Sequence, residues 1–477
     1  MESAASRTLE PADLIARLEA IVGDANVLTD ARDMESFLRE PRDLFHGKAI
    51  CVVRAGSTAE VAAILELCHQ TATPVVPQGG NTGLVGGQIP DARGDALVLW
   101  LGRMQALREI DLSSNTMTVE AGMTLAHAQE AAERAGRRFP LSLASEGSCT
   151  IGGNLATNAG GTGVIAYGNA RDLVTGLEVV LADGRILSDL SKLKKDNTGY
   201  DLKHLFMGSE GTLGVITAAV LKLYPKPRAI ATAFVGLASP QSALALLDLA
   251  RDMAGGEITS FELIPRIGLD FVLKHAQGVR DVLAGRHAWH VLLELSSQRA
   301  EGLEGRLLEL LAAGAEKGIV EDAAVAASQG QREAFWKLRE LLSEVQRLEG
   351  GSIKHDISVP VADVPTFVEE AERAVSAAIP GARPVPFGHL GDGNIHFNVS
   401  QPIGADKAAF LARWDEINAI VHAIVTAHRG SISAEHGIGQ LKRHLLPNVK
   451  DKVALEVMRA LKHTLDPKGI LNPGKML

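Results

Sequence analysis

A glycine-rich loop that directly follows a short extended run is the feature of this sequence that most constrains its fold. The run at 74–77 opens into Gly79-Gly80-Asn81-Thr82-Gly83. Before it come an apolar run at 50–53 and a helix that begins with the capping box Ser57 to Glu60. The sequence therefore predicts that the first half starts with a strand, a helix, a second strand and a glycine loop.

A second glycine-rich segment at 147–161 lies in the same half of the chain. Glycines let backbone amides approach an anion closely, so the two loops together favour a cofactor that carries a diphosphate. Tight turns in an ordinary sheet are the alternative for either loop alone. Neither loop has the Gly-x-Gly-x-x-Gly pattern of nicotinamide-binding folds, and the glycines at 469–474 lack the Ser or Thr that a P-loop needs after its lysine.

The remaining pattern predicts two further blocks of mixed helices and strands, separated at Pro225-Lys226-Pro227. This alternation indicates an α+β protein with more than one domain. The predicted strands are 97–101, 117–119, 177–181, 215–224, 232–237, 258–263 and 291–295. The predicted helices are 125–136, 243–253, 301–317, 332–349, 364–378 and 451–465.

Composition narrows the classes of function. A chain of 477 residues with 46% hydrophobic residues is long enough for two or three cores, and a net charge of −9 disfavours a nucleic-acid surface. Its three cysteines have no CxxC spacing, which is typical of a reducing compartment. The N-terminus has the features of neither a signal peptide nor a transit sequence, and no apolar run is long enough to span a membrane. We expect a cytoplasmic protein of bacterial type.

A hairpin near the C-terminal end carries two histidines. With Asp392 and Gly393 as a two-residue turn, His389 would lie directly opposite His396, and Asn398 would point to the same face. Opposed β carbons are about 5 Å apart, so two imidazoles could converge on one metal ion. Glu435, next to His436 in a glycine-bounded loop, offers a third ligand. The alternative is a solvated hairpin and an unrelated Glu-His pair.

Five segments together carry a resemblance to a known family: 77–87, 148–161, 208–214, 389–396 and Glu435-His436. From about residue 45 to the C-terminus, the chain resembles the flavin-linked D-2-hydroxy acid dehydrogenases of the vanillyl-alcohol-oxidase-type FAD superfamily. That resemblance implies an N-terminal helical segment (1–44), an FAD-binding domain in two parts (45–227), an α+β substrate or cap domain with the metal hairpin (228–430) and a C-terminal helical segment (431–477) that returns to the FAD domain.

The resemblance also implies how FAD is bound. The diphosphate is expected at Gly79–Gly83 and the Ser148 loop, the isoalloxazine ring at 157–161 and the adenosine side at 210–216. Asn81 stands where some members carry the histidine that bonds flavin covalently, so we expect non-covalent FAD. The full set of expected FAD contacts is Pro77, Gly79, Gly80, Asn81, Thr82, Gly83, Ser148, Gly152, Gly153, Thr157, Asn158, Gly161, Glu210, Ile216 and Asn472.

By the same resemblance the metal ligands are His389, His396 and Glu435, with Zn²⁺ the expected ion and Mn²⁺ or Fe²⁺ as alternatives. His436 becomes the general base that removes the proton of a metal-bound hydroxyl while hydride moves to flavin N5. The expected substrate contacts are Arg339, Ser343, Lys354 and Asn398. Arg339 and Ser343 are four residues apart, so on one helix they would share a face.

These expectations describe a dehydrogenase that converts a D-2-hydroxy acid to the 2-oxo acid, with D-2-hydroxyglutarate favoured and D-malate as a close alternative. Two other hypotheses stay open. The first is a D-lactate or glycolate dehydrogenase or a subunit of such an oxidase. The second is a metal-dependent hydrolase in which the glycine loops are only structural. The expected partners are an electron-transfer flavoprotein, a quinone or a cytochrome as electron acceptor, and a second copy of the chain in a homodimer.

Overall fold

The computed structural model describes residues 9–477 and divides the chain into two units. The first unit contains the described residues up to Ala159 together with Asn169–Pro225 and Glu435–Leu477. The second contains Gly160–Gly168 and Lys226–Ala434. Residues 1–8 of the predicted N-terminal helical segment lie outside the described residues. Both units combine helices with sheets, which confirms the predicted α+β class.

Two sheets form the body of the first unit. A four-stranded sheet has the order Val27–Leu28, Val52–Arg54, Leu97–Trp100, Val75–Gln78, and its last three strands are parallel. A five-stranded antiparallel sheet has the order Leu107–Asp111, Thr116–Glu120, Val215–Lys222, Val174–Val180, Ile186–Asp189. A two-stranded ribbon joins Arg137–Arg138 to Tyr224–Pro225. The strand at Val75–Gln78 is therefore followed directly by the first glycine loop.

The first helix between parallel strands begins as the sequence predicts. The hydroxyl of Ser57 accepts a hydrogen bond from the amide of Glu60, whose carboxylate in turn accepts from the amide of Gly56. The helices of this unit are Pro11–Val22, Ala31–Leu38, Thr58–Thr71, Leu125–Arg134, Ile151–Ala156, Lys203–Phe206, Leu446–Val449 and Lys452–Leu465, with 3-10 turns at Asp24–Asn26 and Arg443–Leu445.

One antiparallel sheet organises the second unit. Its main path runs Asp322–Val325, Ala229–Leu237, Trp289–Ser297, Ile258–Pro265, Arg383–His389, Asn394–Ser400, Ser352–Ile353, and the short strand Ile357–Ser358 also pairs with Asn394–Ser400. Neighbours along this path include the strand at 258–265 and the histidine hairpin, which pair through Glu262 and His389. The sheet thus brings two segments that are 127 residues apart to one place.

Helices pack against this sheet around a core that includes Phe234, Leu292, Phe335, Leu342 and Phe387. The helices of this unit are Val164–Tyr167, Pro240–Ala254, Arg266–His275, Leu303–Glu316, Gln329–Glu340, Leu342–Val345, Val364–Ala378, Lys407–Leu411 and Trp414–Ala427, with 3-10 turns at Gly255–Glu257, Gln346–Glu349 and Val361–Asp363. No helix in residues 9–477 has the length and apolar character that crossing a bilayer requires.

The sequence predicts one continuous helix at 332–349, and this continuity is wrong. The structure has a helix at Gln329–Glu340, a break at Leu341 and a short helix at Leu342–Val345 that ends in a 3-10 turn. The side chains of Leu338, Leu342 and Val345 are all buried in the same core. Packing against the sheet favours this interrupted segment over the continuous helix that periodicity alone predicts.

Candidate active site

Two histidines lie close together on the hairpin formed by Arg383–His389 and Asn394–Ser400. Their ring centroids are 5.7 Å apart, and nitrogen atoms of the two rings lie within 4.8 Å of each other. His389 is buried and His396 is partly exposed. Two imidazoles at this separation suit the binding of a single divalent ion.

The register of this hairpin differs from the prediction. His389 lies opposite Asn394, and His396 lies opposite Phe387. The predicted direct pairing of the two histidines across a two-residue turn is therefore wrong, and the loop has four residues. One of them, Leu390, is completely buried. Burial of this side chain outweighs the local preference of Asp-Gly for a two-residue turn.

A buried carboxylate contacts the first histidine. Glu262 is fully buried, and its Oε1 lies 2.7 Å from Nδ1 of His389, while its Oε2 accepts a hydrogen bond of 2.8 Å from Nε of Arg339. Burial alone would raise the pKa of this carboxyl, but the charges of His389 and Arg339 outweigh burial and lower the pKa to about 2. An ionised carboxylate accepts hydrogen bonds and cannot donate them, so Glu262 pairs with an N–H at Nδ1 of His389, and Nε2 is the ring nitrogen that this contact does not use.

Arg339, one of the predicted substrate contacts, is buried beside this pair. Its guanidinium carbon lies 5.0 Å from the centroid of the Phe387 ring. Across residues 9–477, Nε is the only atom of this guanidinium with a hydrogen-bond acceptor, namely Glu262. The two Nη groups have the planar, two-donor geometry that binds a carboxylate.

Ser343 and Lys354, two further predicted substrate contacts, lie close to each other. Nζ of Lys354 donates to the backbone carbonyl of Ser343 at 3.2 Å, so the structure brings these two residues together. The break at Leu341 separates Arg339 and Ser343 into different helices. The four-residue spacing therefore does not place them on one continuous helix face.

Buried acceptors hold the amide side chains of the hairpin. Nδ2 of Asn394 donates to Oδ1 of Asp356 at 3.1 Å, and Nδ2 of Asn398 donates to Oε1 of Gln346 at 2.9 Å. Nδ1 of His396 lies 3.9 Å from Oδ1 of the same aspartate, which is an ion-pair distance and longer than a hydrogen bond. The histidine face of the hairpin is thus surrounded by fixed polar groups.

In the first unit, Glu435 and His436 lie at the start of the final segment. Ligand atoms of these two side chains are within 4.8 Å of each other. The loop after them is held by Glu210, whose carboxylate accepts from the amides of Ile438 at 2.7 Å and Gly439 at 2.8 Å. Burial raises the pKa of Glu210, an effect that these two amides partly offset. This glutamate, predicted as a cofactor contact, therefore fixes the loop that follows His436.

The two glycine loops of the first unit meet at very short range. A Cβ on Gly79 would overlap Oγ1 of Thr150, and a Cβ on Gly80 would overlap the carbonyl oxygen of Ser148. Only glycine fits at these two positions without moving the neighbouring loop. The carbonyl of Gly79 also accepts from the indole of Trp100 at 3.0 Å.

A cavity of about 270 Å³ lies beside this contact, lined by residues that include Gly80, Asn81, Trp100, Ser148 and Thr150. Within the described part of the chain, the amides of residues 80–83 have no hydrogen-bond acceptor, and Oγ1 of Thr150 is buried without a partner. A row of unused amides with an unused hydroxyl, free of carboxylates, is the donor set that a diphosphate requires. The residues of this cavity therefore fit the diphosphate of FAD.

The remaining predicted cofactor residues lie in the first unit, with the exception of Gly161. Asn81, Asn158, Glu210 and Asn472 all have positive φ, a conformation typical of tight turns. Asn472 donates from Nδ2 to the carbonyls of Gly87 and Glu210. Within the first unit the others are Pro77, Thr82, Gly83, Gly152, Gly153, Thr157 and Ile216. Gly161 belongs to the second unit.

Sequence reasoning missed Glu262, which no motif marks. The one signal is its position in Ile258–Pro265, a strand in which every residue is buried. A glutamate in such a run is almost always paired, so it indicates a buried basic partner without saying which one.

Comparisons with known proteins identify the class. Residues 226–476 match the family of FAD linked oxidases through its C-terminal domain, and residues 49–189 match an FAD binding domain. Among solved structures, p-cresol methylhydroxylase aligns with a TM-score of 0.74 at 15% identity, over 98% of this chain and 96% of its own. These matches confirm FAD as a cofactor and the vanillyl-alcohol-oxidase-type fold, and they define an FAD-linked oxidoreductase.

The relatives narrow that class. The chain is 36% identical to the mitochondrial D-2-hydroxyglutarate dehydrogenase of Arabidopsis thaliana over 97% of its own length and 81% of that relative. It is 35% identical to the D-2-hydroxyglutarate dehydrogenase of Xanthomonas citri pv. viticola over 97% of its own length and 96% of that relative. The chain belongs to the FAD-dependent D-2-hydroxy acid dehydrogenases of the FAD-linked oxidase family, as the sequence motifs predict.

Proposed function

We propose that this enzyme oxidises D-2-hydroxyglutarate to 2-oxoglutarate, with D-malate as the nearest alternative substrate. The observation that carries the proposal is the shared contact of Arg339 and His389 with Glu262. This contact supports the proposal because the guanidinium of Arg339, a group suited to binding a carboxylate, lies beside His389. A substrate with a carboxylate at each end suits such a site, since one end lies near the reacting hydroxyl and the other pairs with the guanidinium. The names of the two relatives agree with this choice.

We further propose that His389, His396 and Glu435 hold a divalent ion, Zn²⁺ in the first place and Mn²⁺ or Fe²⁺ as alternatives. Two imidazole nitrogens and one carboxylate oxygen form a ligand set that leaves positions open for a substrate. The support from this chain is the proximity of the two histidine rings and the contact of Nδ1 of His389 with the carboxylate of Glu262, which fixes the orientation of the ring.

Each residue then has a role in the reaction. When bound, FAD supplies the N5 position that accepts a hydride from the α carbon, and a divalent ion lowers the pKa of the substrate hydroxyl. His436 accepts the hydroxyl proton, for which an imidazole is suited at neutral pH. Arg339 binds the distal carboxylate, with Ser343, Lys354 and Asn398 as further polar contacts. The glycine loops bind FAD without a covalent bond, because Asn81 has no nucleophilic ring nitrogen.

The test is an anaerobic visible spectrum of the purified protein, recorded before and after separate additions of D-2-hydroxyglutarate, D-malate, D-lactate and glycolate. We expect the flavin band to bleach fastest with D-2-hydroxyglutarate. Bleaching with D-lactate or glycolate alone would contradict the dicarboxylate assignment. Full activity after removal of metal by a chelator, with metal loss verified by elemental analysis, would contradict the metal assignment.

We also propose that reduced flavin passes its electrons to a separate acceptor, namely an electron-transfer flavoprotein, a quinone or a cytochrome. A homodimeric state and a cytoplasmic location complete the proposal. Stopped-flow reoxidation with each class of acceptor tests which acceptor the reduced flavin uses. The sedimentation mass of the holoenzyme tests the homodimeric state.

A further inference from the structure

Glu262 connects two groups that the proposed function assigns to different tasks. One of its oxygens contacts Nδ1 of His389, and the other accepts from Nε of Arg339. The glutamate is completely buried, and both partners are nearly so. The strand pairing sets Glu262 directly opposite His389, so the backbone as well as the side chain fixes this contact.

We propose that Glu262 is a positioning residue for both halves of the reaction site: it orients His389 for the metal and Arg339 for the substrate carboxylate. This inference rests on the proposed function. Hydrogen bonding at Nδ1 fixes the ring orientation and leaves Nε2 as the ligand atom. Hydrogen bonding at Nε fixes the guanidinium plane and leaves both Nη groups for a carboxylate. One carboxylate thus sets the distance between the metal ligand and the anchor.

A purely structural ion pair is the competing explanation, and the chain offers a matched control. Glu294 is also buried, on the strand next to that of Glu262, and its Oε2 also lies 3.0 Å from an arginine nitrogen, Nε of Arg332. Its other partners are the hydroxyl of Thr232 and the indole of Trp336. Glu294 therefore shares the burial and the arginine pairing of Glu262 but contacts none of the proposed ligands.

The experiment compares Glu262→Gln with Glu294→Gln in the FAD-loaded full chain. Glutamine keeps the volume but removes the charge and one of the two accepting oxygens. We expect the Kd for Zn²⁺, measured by competition with a chromogenic chelator, to rise about 10- to 100-fold in Glu262→Gln. In Glu294→Gln we expect it to stay within about twofold. Far-UV circular dichroism and flavin content establish that each variant is folded.

A second readout separates positioning from stability. At saturating Zn²⁺ we expect Glu262→Gln to raise the KM for D-2-hydroxyglutarate more than that for glycolate, because glycolate has no distal carboxylate for Arg339. A structural role would leave that ratio unchanged. If Glu262→Gln does not fold, Glu262→Asp takes its place, since the shorter side chain keeps the charge but cannot reach both partners.

The outcomes distinguish failure of the proposed metal site from failure of the positioning role of Glu262. A wild-type protein that binds no Zn²⁺, Mn²⁺ or Fe²⁺ overturns the proposed metal site itself. A wild-type protein that binds Zn²⁺, together with a folded Glu262 variant that matches Glu294→Gln in both affinity and KM ratio, overturns the positioning role and leaves the proposed function intact.

Discussion

Replacing Gly80 with alanine tests whether the contact between the two glycine loops shapes the FAD site. The new Cβ would overlap the carbonyl oxygen of Ser148 and would lie 2.8 Å from its carbonyl carbon. Since carbon atoms in contact rest at about 3.5–4.0 Å, the loops must separate by roughly 0.7 Å or more. The obstacle is backbone, so no side-chain rotation relieves it.

Overpacking of this kind costs about 1–3 kcal/mol. If the strain falls on the bound state, whose amides must converge on the diphosphate, the affinity for FAD drops roughly 5- to 150-fold at 1.4 kcal/mol per decade. The assay is quenching of flavin fluorescence as FAD is titrated into apoprotein. Gly147→Ala is the control, because a Cβ at this neighbouring position has no atom within 4 Å.

The expected result is weaker FAD binding by Gly80→Ala and unchanged binding by Gly147→Ala, with similar melting temperatures for the two apoproteins. An unchanged Kd for Gly80→Ala would show that the two loops do not need their close approach to hold the cofactor. Equal losses in both variants would show that the effect comes from loop flexibility and not from the clash.

Two other substitutions and one labelling experiment test separate parts of the structure. Glu210→Gln replaces one of the two oxygens that accept from the amides of Ile438 and Gly439 with an NH2 group and leaves that amide without an acceptor. We therefore expect about 1–3 kcal/mol less unfolding free energy in urea denaturation and a lower kcat with FAD still bound. An unchanged kcat would contradict a role in holding the His436 loop. Although burial opposes it, hydrogen bonds from Lys274, Arg383 and His275 lower the pKa of Glu349 to about 2. The contribution of Glu349 to stability is therefore present above its unfolded pKa near 4.3 and is lost as the pH falls toward 2. We expect Glu349→Gln to flatten the pH dependence of the unfolding free energy between about pH 5 and 2. An unchanged slope would refute this prediction. Burial raises the pKa of Cys51 to about 12 and also raises the pKa values of Cys68 and Cys149. We therefore expect the native protein not to react with a thiol reagent at pH 8 until it unfolds. Rapid labelling of the native state would contradict the burial of these cysteines.

Local signals in the sequence predicted elements well where neighbours along the chain decide the structure. The capping box at Ser57 and the helix at Val364–Ala378 are both observed. The interruption of the helix at Leu341 was not predictable, because it depends on how Leu338 and Leu342 pack against a sheet assembled from distant strands. The contact of Glu262 with its two partners is likewise set by strand pairing, which no local pattern encodes.

The two histidines lie on one face of the hairpin although the predicted register is wrong. The predicted pairing of His389 with His396 and the observed pairing of His389 with Asn394 differ by two residues. Since side chains alternate between faces with a period of two, a shift by two residues keeps both histidines on one face, whereas a shift by one would have separated them. Their rings consequently meet diagonally, with centroids 5.7 Å apart. The two imidazoles therefore meet because the number of residues between His389 and His396 keeps them on one face of the hairpin, whichever of these two turns joins the strands.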